Sequence, residues 1–174
     1  MRAMQTVPSL REGRVFGALK RSIGRANRSR FRVLHFSIQT DHVHLIVEAD
    51  STTAFEHGMR GLTILSALGI NGAARRRGKV GERRFHAHAL RRPTKVRRAI
   101  AYVLLNFRKH LKAGPGVDPR SSAVWFEDWV GRADPRHLPR LVAAPRTWLA
   151  NIGWRRAGPP LRVDEMPGSS RRRR

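Results

Sequence analysis

Hydrophobic positions in the first half of the chain follow two different periods. Val15, Phe16, Leu19 and Ile23 recur at three-to-four spacing in an otherwise basic stretch, which predicts an amphipathic helix over residues 11–28 ending at the Asn27–Ser29 turn. Residues 31–38 (Phe-Arg-Val-Leu-His-Phe-Ser-Ile) and 42–49 (His-Val-His-Leu-Ile-Val-Glu-Ala) are β-rich runs separated only by Gln39, Thr40 and Asp41, the length of a hairpin loop. Asp50, Ser51 and Thr52 then offer N-caps to a second helix, with Phe55, Met59, Leu62, Leu65 and Leu68 on one stripe as far as Ala74.

A basic turn, Arg75–Lys79, leads into Glu82–Leu90, whose alternation predicts a third strand. Pro93 opens a third helix with Val96, Ile100, Val103, Leu104, Phe107 and Leu111 facing inward, and Gly114-Pro115-Gly116 ends it. The pattern thus divides the chain into a domain over residues 1–113, an appendage over 114–170 and a basic disordered tail over 171–174. Trp125, Phe126 and Trp129 anchor the appendage to the core or stack on unpaired bases, and Thr147–Ile152 is a short helix within it.

Composition bears on the partner more than on the fold. The 174 residues carry 36 Lys plus Arg against 12 Asp plus Glu, a formal charge of +24. A self-repelling excess of that size fits a polyanionic partner, nucleic acid before an acidic membrane surface. Acids are absent from 13–40 and from 83–117, and the second stretch carries Arg83, Arg84, Arg91, Arg92, Lys95, Arg98 and Lys109, which form a candidate nucleic-acid surface. With no cysteine, disulfides, thiolate metal sites and thiol nucleophiles are excluded. No run reaches the roughly 18 apolar residues of a membrane span and the start lacks a signal-peptide core, so the expectation is a cytoplasmic, nucleoid-associated protein without a membrane partner.

Candidate chemistry centres on His42-Val43-His44. Side chains at i and i+2 of a strand leave one face about 7 Å apart, so both imidazoles can converge on one divalent ion while Val43, Leu45 and Val47 take the opposite, helix-covered face. The same pair also reads as purely structural. Tyr102, the one tyrosine, precedes Asn106 by four residues, which puts a phenol and a carboxamide on one helical face off the apolar stripe. A phenol is a nucleophile and a carboxamide oxygen can complete a three-ligand set; alternatively, Tyr102 is an interfacial aromatic and Asn106 a surface residue. Glu48 shares the histidine face, as a group near a metal or a solvent-facing residue, and His86-Ala87-His88 is a second His-x-His whose plainer use is contact with DNA. His35-Phe36-Ser37 matches half of a two-histidine phosphoesterase pattern and lacks the other half.

Val33–Ala49 followed by Tyr102-Val-Leu-Leu-Asn106 resembles the single-tyrosine HUH transposases, the insertion-sequence-200-like group, and most closely the REP-associated tyrosine transposases, over about residues 10–112. The resemblance implies an α+β, ferredoxin-like βαββαβ antiparallel sheet with helices on one face; the chain departs from the family pattern at its start, where only Met1–Val7 precede Pro8-Ser9-Leu10, so a truncated first strand is expected. It implies His42, His44 and Asn106 as ligands of Mg²⁺ or Mn²⁺, and Tyr102 as the nucleophile. The implied activity is cleavage and rejoining of single-stranded DNA near a hairpin through a covalent 5′-phosphotyrosine, by a monomer or homodimer. Two other classes stand beside it: a non-catalytic single-stranded DNA or RNA binding module with a vestigial site, and a basic structural protein of ribosome or nucleoid.

Overall fold

A computed structural model describes residues 2–81, 85–111, 114, 116–130 and 140–165, with the backbone alone for 109–111. The fold is mixed α/β. Helix α1 (Gly13–Ala26) buries the predicted stripe Val15, Phe16, Leu19 and Ile23. Strands β1 (Phe31–Ile38) and β2 (Val43–Ala49) pair antiparallel from Phe31–Ala49 to Ile38–Val43. Helix α2 (Thr52–Ala73) starts at Ser51, whose side chain accepts a hydrogen bond from the Ala54 amide and so satisfies one of the open donors of the first turn. Helix α3 spans Pro93–Leu111. Short pieces follow: a 3₁₀ turn at Ser122–Trp125, β3 (Trp129–Val130), α4 (Trp148–Asn151), a 3₁₀ turn at Gly153–Ala157 and β4 (Leu161–Arg162), which runs parallel to β3.

The β1–β2 hairpin lies between two layers of helix. On one face, Val33, Phe36, Ile38 and Val43 join Leu19, Ile23, Leu62 and Ile70 of α1 and α2 in a first core. On the other, Leu34 and Ile46 meet Ile100, Leu104 and Leu105 of α3 in a second. Helices on one face therefore describes α1 and α2 but not α3. The cause is β1 itself, which carries apolar side chains on both faces; leaving Leu34 and Ile46 in water would forfeit about 1.5–3 kcal/mol each. Val33 and Leu34 enter different cores by simple alternation, and the register shift between Val33 and His35 keeps Leu34 and His35 on one side, so that Phe36 and Ile38 return to the face of Phe31 and Val33.

The segment after α3 is woven into both layers. Phe36 and Ile38 donate their amides to Ser122 Oγ at 2.9 Å and the Arg120 carbonyl at 3.1 Å, and Ala143 donates to the Val33 carbonyl at 2.9 Å, which covers the open edge of β1. Trp125 enters the first core, and Phe126, Trp129 and Trp154 the second, so these aromatics anchor the segment rather than present faces to bases. Arg11 clamps Asp118 through two 2.8 Å bonds and donates a third to the Ile38 carbonyl at 2.7 Å.

At the outer edge of β2, Arg2 and Ala3 form single antiparallel bridges to His42 and Gly81. The third strand expected over Glu82–Leu90 is not formed at 85–90, which has no strand structure and is largely exposed. Its alternation sets Phe85, Ala87 and Ala89 against His86 and His88, and two alanines supply too little apolar area to hold a strand down. Glu82, Arg83, Arg84, Pro115 and the 171–174 tail lie outside the described residues. Among the described residues, no helix is long and apolar enough to cross a membrane.

Candidate active site

His42 lies at the end of the hairpin loop, where its carbonyl accepts the Gln39 amide at 2.8 Å, and His44 is two residues into the pairing, opposite Ser37. The period of two sends both imidazoles to the α3 side, and their Nε2 atoms are 3.0 Å apart. Two nitrogens at that separation match adjacent corners of an octahedron with bonds of about 2.1 Å, the geometry Mg²⁺ and Mn²⁺ favour. Both rings are half-buried.

Asp41 is a neighbour of the pair that spacing alone did not single out. Its Oδ1 lies 2.6 Å from His42 Nδ1, and Arg2 Nε donates to its Oδ2 at 3.3 Å. The hydrogen bond from His42 holds the Asp41 carboxyl below the usual aspartate range, with the Arg2 bond adding to it. A carboxylate on Nδ1 fixes the ring orientation and directs the Nε2 lone pair outward, the usual arrangement behind a metal-binding histidine. The signal was present in the sequence as an acid immediately before the His-x-His.

Helix α3 carries Tyr102 and Asn106. The Tyr102 ring packs against His44 at 5.1 Å between centroids and 79° between planes, and it remains 39% exposed. Asn106, one turn further along, is fully buried, and neither its Oδ1 nor its Nδ2 has a hydrogen-bond partner. It is therefore not the surface residue of the plainer reading. An orphaned buried carboxamide costs about 1–3 kcal/mol. Among the described residues, no group of three His, Cys, Asp or Glu can hold a metal.

The exposed side chains of Lys95 and Arg98 precede Tyr102 by seven and four residues on α3, and exposed Arg91 and Arg92 stand just ahead of the helix. Three-to-four spacing aligns Lys95, Arg98 and Tyr102 on one face of α3. Arg83 and Arg84 lie outside the described residues, as does the side chain of Lys109. Arg97 takes another role, clamping Glu165 through bonds of 3.2 and 3.1 Å.

The remaining candidates separate clearly. Glu48 is buried and accepts bonds from Arg32 Nε at 3.3 Å and the Arg146 and Thr147 amides at 2.9 and 3.0 Å, so it docks the start of α4 and does not face solvent. Burial raises its pKa, but the bonds from Thr147, Arg146 and Arg32 outweigh that and leave it below the ordinary value. His35 packs edge-on against Phe126 at 5.7 Å with its Nδ1 enclosed and unpartnered, and burial pushes its pKa down to about 4 despite the opposing field of Asp128. It is a neutral core histidine. His86 and His88 are exposed on the irregular segment. No protein-family model, curated protein or solved structure matches this chain.

Proposed function

We propose that the chain is a metal-dependent single-stranded DNA endonuclease and strand-transferase that works through Tyr102. The observation that carries this reading is the juxtaposition of an imidazole pair with Nε2 atoms 3.0 Å apart and the ring of the single tyrosine 5.1 Å from one of them. The fold lends support. With the bridges of Arg2 and Ala3, the elements Gly81, Arg2–Ala3, β2 and β1 follow one another with every contact antiparallel, and we take this as the succession expected of a ferredoxin-like βαββαβ sheet in which the first and fourth strands are reduced to single bridges.

In the proposed reaction Tyr102 Oη attacks the scissile phosphorus, a P–Oη bond forms and the P–O3′ bond breaks. The phenol proton passes to solvent and the departing O3′ takes one up, leaving a 5′-phosphotyrosine and a free 3′-hydroxyl. One phosphoester replaces another, so no nucleotide triphosphate is needed, and a second 3′-hydroxyl reverses the step to join strands. Mg²⁺ or Mn²⁺, held by His42, His44 and the Asn106 carboxamide oxygen, would supply Lewis-acid polarisation of the phosphate oxygens. Arg91, Arg92, Lys95 and Arg98 guide the DNA backbone along α3 toward Tyr102, contributing affinity without sequence choice.

The test is incubation with labelled hairpin-bearing single-stranded DNA from the flanks of the gene plus Mn²⁺, followed by a denaturing gel. A denaturation-resistant adduct that disappears in Tyr102→Phe and in His42→Ala is the expected result. Binding without any adduct would overturn catalysis and leave a single-stranded nucleic-acid binding module.

A further inference from the structure

On the side of the hairpin away from the histidines, a groove of about 430 Å³ opens between the end of α1, the start of β1 and the first half of α2. Its apolar lining includes Phe31, Leu62 and Leu65, Arg28 and Arg30 line it as well, and none of its lining residues is acidic. Arg28 is braced, with its Nη1 donating to the Asn27 carbonyl at 2.8 Å and to the Arg25 carbonyl. Ser51, also in the lining, already has its hydroxyl committed to the Ala54 amide. An apolar bed beside two cations suits a flat apolar group that carries an anion, and the volume lies in the range of small-ligand sites.

We propose that this groove is a second nucleotide subsite, which takes one unpaired base of the DNA strand against the exposed His57 and half-buried Leu65, above the buried Phe31 and Leu62, and its phosphate on Arg28 and Arg30. The inference rests on the reading of the chain as a single-stranded DNA enzyme, and it adds a grip remote from the reacting phosphate. Phe31 is six residues from Ser37, the pairing partner of His44, so the grip lies roughly 20 Å along the sheet from the histidines and on its other face. A route between the two exists on the surface. Phe85 packs edge-on against Phe55 of α2 at 5.8 Å, and the exposed segment from Phe85 to Arg92 runs from there to the start of α3 and its basic face.

Two glycines of α2 make a matched test. A Cβ added at Gly61 or at Gly72 meets nothing within 4 Å, but only Gly61 lines the groove. Both substitutions to glutamine raise helix propensity, so neither threatens the fold. The full chain is mixed, in EDTA, with single-stranded DNA carrying 5-iododeoxyuridine and irradiated, and the cross-linked peptides are mapped.

The expected result is a cross-link to His57, the exposed ring in the lining. Gly61→Gln should remove that cross-link and weaken DNA binding about tenfold while Gly72→Gln changes neither, and Arg28→Ala with Arg30→Ala should flatten the salt dependence by about 0.7 in log–log slope for one lost phosphate contact. Cross-links confined to α3 and residues 85–92, or equal affinity in Gly61→Gln and Gly72→Gln, would overturn the groove while leaving the Tyr102 adduct untouched. A chain that binds no single-stranded DNA would overturn both readings.

Discussion

Asp41 Oδ1 and His42 Nδ1 are 2.6 Å apart, a charge-assisted bond between adjacent residues at the tip of the hairpin. It turns a surface histidine into an oriented one, because the imidazole can no longer rotate without losing the carboxylate. Asp41→Ala should therefore weaken Mn²⁺ binding by about 10–100-fold. The bond is solvent-exposed, so the unfolding midpoint should hardly move. Calorimetric titration with Mn²⁺ and a thermal melt on the same sample separate the two effects.

Asn106 sets stability against function. Its carboxamide is buried with both polar atoms unpartnered, so replacing it by leucine removes a desolvation cost in a space of similar size. Asn106→Leu should raise the free energy of unfolding by about 1–3 kcal/mol and abolish the metal-dependent adduct. Urea unfolding and the denaturing gel read the two halves, and a variant that is more stable and fully active would remove Asn106 from the site.

His35 makes the fold sensitive to mild acid. Its folded pKa of about 4 lies below the ordinary 6.5, so the unfolded chain takes up the proton first. The stability it contributes is complete above pH 6.5 and is lost progressively as the pH falls, by roughly 3 kcal/mol once it reaches the folded value. His35→Leu should flatten urea-unfolding curves recorded across that interval; an unchanged slope would mean that the ring titrates normally.

Glu48 acts lower on the pH scale. Its folded pKa is held below the ordinary 4.5, so its contribution is complete above that value and is lost as the pH drops through the lowered one. Glu48→Ala should cost about 2–4 kcal/mol at neutral pH, since it leaves the buried Arg32 with the exposed Asp50 carboxylate and the Ser29 carbonyl and frees the start of α4. Denaturant unfolding gives the magnitude, and proteolysis after residue 143 should become faster.

Local pattern predicted the local elements well. Pro93 to Leu111 is helical as the spacing of Val96, Ile100 and Leu104 predicts, both strands of the hairpin form, and His42, His44 and Tyr102 meet. What the pattern could not carry was the identity of distant neighbours. Glu48 looks like any polar residue at the end of a strand until Thr147, 99 positions later, folds back onto it. The second helical layer was concealed in the same way, because periodicity shows that Leu34 and Ile46 are apolar but not that α3 is the element covering them. Residues 82–90 failed for the converse reason: alternation was present, but it came from alanines and histidines with no apolar face to bury.

The shift at Leu34 also bears on folding fidelity. It divides the hairpin into two blocks, Phe31–Val33 against Val47–Ala49 and His35–Ile38 against Val43–Ile46. A slip of one residue in the second block would exchange His44 for Leu45 across the sheet, removing the imidazole from Tyr102 and burying it among α1 and α2. The extra residue works as a key that fits only one pairing. A chain that mispairs has both cores wrong at once, so the register error that would disable the proposed chemistry is also an error the chain cannot fold around.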